Sequence, residues 1–218
     1  MYKTIIICGL DGSGKTTVIK ALKNYLSTEK VLIVWFRWRA LFSYVLYIYS
    51  NIRKLYKWVY NPRVGKSFKV NEWFNDKFLK YFYPYSLIFD MLIFYFMVKI
   101  KAIILKPDVL IFDRYFIDAM VDIVYETRNP KILASVLMRL TYALVKKADL
   151  CVVFDVNPKV AFKRKKDILS IEELMYKRVI YTNIAKNFRL YVIDTSNYDP
   201  KEVLRKIVEF FFSSRAFY

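Results

Sequence analysis

The run Thr4-Ile5-Ile6-Ile7-Cys8-Gly9-Leu10-Asp11-Gly12-Ser13-Gly14-Lys15-Thr16-Thr17 decides the fold. Its first part is a continuous apolar stretch, the pattern of a strand covered on both faces. From Gly9 it fits G-x-x-x-x-G-K-[ST], and Lys15–Leu26 carries helical spacing. Strand, glycine loop and helix in that order form an anion cradle. The glycines let the backbone turn sharply and aim its N–H groups inward, and the helix adds its positive end. The chain has only four glycines in 218 residues, and Gly9, Gly12 and Gly14 all stand in this loop. In such a loop Lys15 reaches the β- and γ-phosphates of ATP, and the Thr16 hydroxyl ligates Mg²⁺. The expected nucleotide set is therefore Gly9, Leu10, Asp11, Gly12, Ser13, Gly14, Lys15, Thr16 and Thr17.

Four more apolar runs read as buried parallel strands: Val31–Phe36, Val109–Phe112, Leu150–Phe154 and Leu190–Ile193. Helical patterns at Tyr115–Glu126, Lys131–Lys146, Ile171–Asn187 and Lys201–Phe212 alternate with them. The alternation predicts a single α/β domain over 1–218 of P-loop NTPase type, a five-stranded parallel sheet flanked by helices. The third run ends in Asp113, at the carboxyl end of a strand, where an open α/β sheet places its ligands. Asp113 is the expected second residue on the Mg²⁺ side, with Asp155 as a rival at the end of another strand.

The interval Arg37–Lys106 is too long for one crossover helix and is dense in Tyr, Phe and Trp interleaved with Lys and Arg. It is expected to form several helices over the acceptor side of the sheet, with a turn at Asn61-Pro62-Arg63-Val64-Gly65. Ser86–Leu105 approaches the length of a membrane span, but Asp90, Lys99 and Lys101 interrupt it, and a helix packed on the sheet is the expectation. The aromatic ladder of Leu41–Tyr60 is compatible with core packing, a dimer surface or lipid headgroups.

The net charge is +18. It fits a phosphorylated small molecule, an anionic polymer, an anionic membrane surface or simply a lysine-rich solvated face. Abundant Lys and Ile, with no Gln, also suit a heat-adapted chain. Cys8 and Cys151 offer neither a disulfide framework nor a zinc motif, which points to a reducing, cytoplasmic setting. The first apolar stretch is too short for a signal peptide. The chain has no histidine, so any proton transfer must use a carboxylate, lysine, tyrosine or water.

Gly9–Thr17, Asp113-Arg114-Tyr115 and the stretch Ala148–Phe212 together resemble the thymidylate kinase family, as a divergent, archaeal-type member. The resemblance implies a sheet of order 2-3-1-4-5, a helical acceptor-side region over 37–107 and a lid over 157–173. It implies that Asp11 stands near the acceptor sugar and that Arg114 contacts the acceptor phosphate. It places Arg164 in the lid against the nucleotide, with Arg164, Lys165 or Lys166 supplying the transition-state cation, since Ser13 stands where some members carry a catalytic arginine. The loop Asp194–Asn197 would border the adenine. The implied reaction is ATP plus dTMP to dTDP plus ADP, with Lys15, Arg114, Arg164 and Asp113 catalytic and Thr16 and Asp113 on Mg²⁺.

A phosphate acceptor is already anionic and needs arginines in fork geometry rather than a base. With Asp11, the residues Arg37, Arg39 and Arg114 form the expected acceptor set. Trp35, Phe36 and Trp38 fit either base stacking or the core. Two departures leave the base open: Phe36–Ala40 lacks the family's glutamate, proline and glycine, and Leu87–Phe94 lacks its thymine-reading arginine. The alternatives are another phosphorylated acceptor, or an ATP-binding switch with an aromatic, basic docking surface. Expected partners are nucleotides and a second copy of the chain, with no nucleic acid polymer and no standing membrane contact.

Overall fold

The computed structural model describes residues 2–37, 41–197 and 199–213. Trp38 and Arg39 lie outside the described residues. Strand β1 (Lys3–Gly9) runs into the glycine loop and then into α1 (Lys15–Tyr25), followed by β2 (Val31–Trp35). The interval beyond holds α2 (Leu41–Ile52), the strands β3 (Tyr56–Asn61) and β4 (Lys66–Asn71), a 3₁₀ turn at Trp73–Asn75 and α3 (Lys77–Leu105). Then come β5 (Val109–Asp113), α4 (Phe116–Thr127), α5 (Val136–Val145), β6 (Leu150–Asp155), α6 (Pro158–Arg164), α7 (Ile171–Phe188), β7 (Tyr191–Asp194) and α8 (Pro200–Ser213).

Five strands form one all-parallel sheet in the spatial order β2-β5-β1-β6-β7. Side chains of a strand alternate between faces, and β1 divides its residues accordingly. Ile5 and Ile7 join Val18, Ile19 and Leu22 of α1 and Val203 and Ile207 of α8 on one face. Ile6 and Cys8 join residues of α3, α4 and α7 on the other. Both faces are covered, which accounts for the unbroken apolar runs. The registers Ile7 opposite Asp113 and Gly9 opposite Phe154 bring the glycine loop, Asp113 and the end of β6 to one edge.

Two sequence expectations need correction. The interval 37–106 holds a β-hairpin as well as helices. Tyr56–Asn61 and Lys66–Asn71 pair antiparallel around the anticipated turn, where Gly65 N–H donates to Asn61 O at 2.9 Å and Gly65 adopts φ +69°. Aromatic and β-branched residues at Tyr56, Trp58, Val59 and Tyr60 favour the strand, but the density of aromatics around them masked that signal. The helix expected over Lys131–Lys146 breaks at Ser135, whose hydroxyl donates to Ile132 O at 2.6 Å and closes a 3₁₀ turn ahead of α5. The expected helix over Ser86–Leu105 is present within α3, which packs one face on the core.

On α3, Leu79, Tyr83, Leu87, Met91, Tyr95, Val98 and Ala102 are buried, while Phe82, Tyr85, Phe89, Ile93, Phe96, Ile100 and Ile103 form an exposed stripe at three- and four-residue spacing. Asp90, which interrupts the apolar run, is fully buried. Its carboxylate accepts from the N–H of Phe42 and the N–H and hydroxyl of Ser43, satisfying the start of α2. Among the described residues no helix is long and apolar enough to cross a membrane.

Candidate active site

The glycine loop is held by close backbone approach. A Cβ on Gly9 would lie 2.2 Å from the carbonyl oxygen of Phe154, and Gly9 has φ +136°. A Cβ on Gly12 would lie 2.7 Å from the carbonyl oxygen of Ala161, so α6 rests directly on the loop. Gly14 takes the left-handed conformation just before α1, and no side chain caps the N–H groups of the first turn. Lys15 is buried, and its Nζ donates to the carbonyls of Gly9 and Leu10, each at 2.7 Å. Burial, reinforced by the nearby Arg114, pushes the Lys15 ammonium below its usual range.

Charged groups converge on this loop from β5, α4 and the segment after α6. Asp113 stands at the end of β5; burial raises its carboxyl, with Lys15, Arg114 and the Thr16 hydroxyl opposing the shift. The rival Asp155 is engaged elsewhere. Arg178 of α7 grips it with two bonds of 2.7 and 2.6 Å. Arg114, at φ +72°, pairs with Asp11 and lies 3.9 Å from Asp118. Lys165 reaches Asp11 at 3.4 Å. Burial would raise the Asp11 carboxyl, but Arg114, Lys15 and Lys165 outweigh it and hold the group well below the usual carboxylate range.

The cations at the end of α6 divide by direction. Arg164 donates to the carbonyls of Thr195 and Ser196, each at 3.0 Å, and with Ser13, Gly14 and Thr17 it lines a cavity beside the loop. Lys165 turns the other way, to Asp11. On the far side of Arg114, a narrow cleft is lined by Phe36, Arg37, Tyr83, Leu87, Met91, Asp118, Ala119 and Asp122. Arg37 and Arg114 share one cleft, while Arg39 is outside the described residues. Phe36 is core: it is buried against the rings of Phe94, Phe112, Tyr115 and Phe116. Trp35 is exposed.

Four residues that hold this arrangement escaped the sequence reading. Buried Asp118 accepts from the N–H of Gly9 at 3.3 Å, the N–H of Tyr115 at 2.8 Å and the hydroxyl of Tyr181 at 2.7 Å, tying the loop to α4 and α7. Asp122, one turn on, pairs with Arg37 at 3.2 Å and Lys177 at 2.9 Å. Burial would raise the Asp122 carboxyl, but Lys177 and Arg37 hold it below its ordinary value. The capping spacing from Tyr115 to Asp118, and the four-residue step to Asp122, were the available signals. Nothing in the sequence pattern links them to Lys177 and Tyr181 on α7.

Comparison of the chain with models of known protein families finds no match, and comparison with curated proteins finds no matching sequence either.

Proposed function

We propose that the chain is a nucleoside monophosphate kinase of thymidylate kinase type, transferring the γ-phosphate of ATP to dTMP. The observation that carries this reading is the meeting of Lys15, Thr16, Asp113, Asp11, Arg114 and Lys165 around one glycine loop. The spatial strand order, counted along the chain within the large sheet, is 2-3-1-4-5, and the loop lies at the central strand. That is the order the family resemblance leads one to expect. In this reading the glycine loop cradles the phosphates, and Lys15 leaves its two carbonyl partners to hold the β- and γ-phosphates. Lys165 neutralises charge on the transferring group, Arg164 faces the nucleoside end with Thr195 and Ser196, and Arg114 with Arg37 orients the acceptor phosphate.

Thr16, at the start of α1, and Asp113, at the end of β5, offer hard oxygen donors on one side of the glycine loop, which fits Mg²⁺. Bound there, Mg²⁺ would neutralise phosphate charge, while these two residues fix its place beside Lys15. The acceptor phosphate needs no base, so the lack of histidine is no obstacle. The free cysteines suit a reducing cytoplasm, and the exposed stripe on α3 suits pairing with a second copy of the chain.

A second reading keeps the reaction and changes the acceptor. Among the described residues the guanidinium groups of this cleft are Arg37 and Arg114, both assigned here to the phosphate, and Phe36, Tyr83, Leu87 and Met91 leave an apolar wall for the base. This favours a phosphorylated acceptor other than dTMP. ATP consumption with Mg²⁺ across a panel of nucleoside monophosphates, with Lys15→Ala as the control, tests both. Stimulation by dTMP supports the first reading, and stimulation by a different monophosphate supports the second. No stimulation by any of them refutes the kinase assignment.

A further inference from the structure

The segment that carries Arg164 and Lys165 is held from a direction the glycine loop does not explain. Helix α6 has only seven residues, too few to be stable by its own hydrogen bonds. Its last carbonyls have no partners within the helix, because the chain turns extended at Lys165. The tip of the β3–β4 hairpin supplies them. Arg63 Nη2 donates to the carbonyl of Phe162 and, at 3.4 Å, to that of Lys165. Its guanidinium stacks on the Phe162 ring at 3.8 Å from the centroid. A cation at this end also opposes the negative end of the helix dipole.

Asn61, the last residue of β3, completes the grip. It is buried, and its Nδ2 donates to the carbonyls of Lys166 at 3.0 Å and Ile168 at 3.4 Å. Its Oδ1 meanwhile accepts from the N–H of Arg63 at 2.9 Å, fixing the turn that aims the guanidinium. Four carbonyl contacts and a ring stack run from hairpin to segment within seven residues, 162–168. On its opposite side the same helix touches Gly12, and Lys165 reaches Asp11. The hairpin, α6 and the glycine loop therefore stack as three consecutive layers.

We propose that Asn61 and Arg63 are positioning residues that clamp segment 162–168 over the glycine loop and set Lys165 at the reacting phosphate. The catalytic part of this inference rests on the kinase reading; the clamp itself does not. In physical terms, removing the clamp frees the carbonyls of Phe162, Lys165, Lys166 and Ile168 to hydrate, and α6 loses its C-terminal support. Lys165 then samples positions away from Asp11. The hairpin belongs to the acceptor-side interval, so the clamp joins the two halves of the molecule.

Trypsin reads the clamp directly, because Lys163, Arg164, Lys165 and Lys166 are its cleavage sites. The comparison uses the full chain and its variants without nucleotide, with cleavage at these four bonds followed by mass spectrometry. Asn61→Asp keeps the acceptor for the Arg63 N–H but sets an oxygen against two carbonyls. Arg63→Ala removes both carbonyl bonds of Nη2 and the stack. Each should raise cleavage at 163–166 about tenfold, the effect of about 1.4 kcal/mol in local opening. Arg63→Lys, which keeps one charged donor, should fall between. Phe162→Leu removes only the ring and covers the case in which the hairpin variants do not fold.

Folded variants with unchanged cleavage overturn the clamp. In turnover, loss of the clamp should lower kcat about tenfold with little change in KM for ATP, and Arg63→Lys should restore part of it. A rise in KM alone, with kcat kept, overturns the placement of Lys165. If the wild-type chain turns over no monophosphate, the kinase reading fails while the cleavage comparison still decides the clamp.

Discussion

The glycine-loop side and the interval 41–105 are built on opposite principles. At the loop, geometry is set by backbone meeting backbone. Gly9 presses on Phe154 and Gly12 on Ala161, and the acids Asp11 and Asp118 each face several partners. In the interval 41–105, geometry comes from side-chain bulk: Trp73, Tyr83, Leu87 and Met91 inside, and an apolar stripe left outside on α3. Chemistry that must hold a phosphate to a fraction of an ångström uses backbone and small residues. On the proposed kinase reading, selection of an acceptor is left to packing, which many sequences can satisfy.

The contrast can be broken first at Lys15. Lys15→Ala should lower turnover by about 10²–10³-fold with the fold intact, as measured by steady-state ATP consumption beside circular dichroism. Retained turnover would remove the loop from the chemistry. Next in size is the glycine comparison. Gly9→Ala should cost about 3–5 kcal/mol, since it meets both strain and a clash with main chain. Gly65→Ala in the hairpin turn meets open space, and only the left-handed strain of about 1–2 kcal/mol remains. Denaturant midpoints of the two variants should therefore differ clearly, and equal losses would contradict the backbone account of the loop.

The acid pair at Asp11 gives a pH test. Its folded carboxyl sits below the usual range, so its contribution to stability is complete above the unfolded value of about 3.9 and is lost as pH falls through the folded one. The wild type should lose stability below about pH 4 more steeply than Asp11→Asn, as followed by urea midpoints across that range. The smallest effect falls at the rival carboxylate. Asp155→Asn weakens a partly exposed grip by Arg178, for about 1 kcal/mol of stability, and should leave Mg²⁺-dependent turnover near wild type, unlike Asp113→Asn.

The two regions also differed in what the amino-acid sequence disclosed. Thr4–Thr17 showed strand, loop and helix because backbone demands leave a compositional trace, namely glycine where φ is positive and β-branched residues where both faces are buried. Asp113 was ranked above Asp155 because Pro158 follows the latter closely. What no local pattern disclosed is that Arg178 from a distant helix occupies Asp155. Asp118, Asp122, Lys177 and Tyr181 meet only after α4 and α7 pack, and no local pattern encodes that meeting. The hairpin at Tyr56–Asn71 was hidden because its aromatic residues match those of the helices on either side, leaving the turn at Asn61–Gly65 as its visible part.

The most direct test of the central claim is formation of the diphosphate itself. Incubated with ATP, Mg²⁺ and dTMP, the wild-type chain should produce dTDP and ADP in equal amounts, and Arg114→Ala should reduce both together by removing the grip on the acceptor phosphate. ATP that is bound or hydrolysed with no diphosphate formed from dTMP, or from any other monophosphate supplied, would contradict the account.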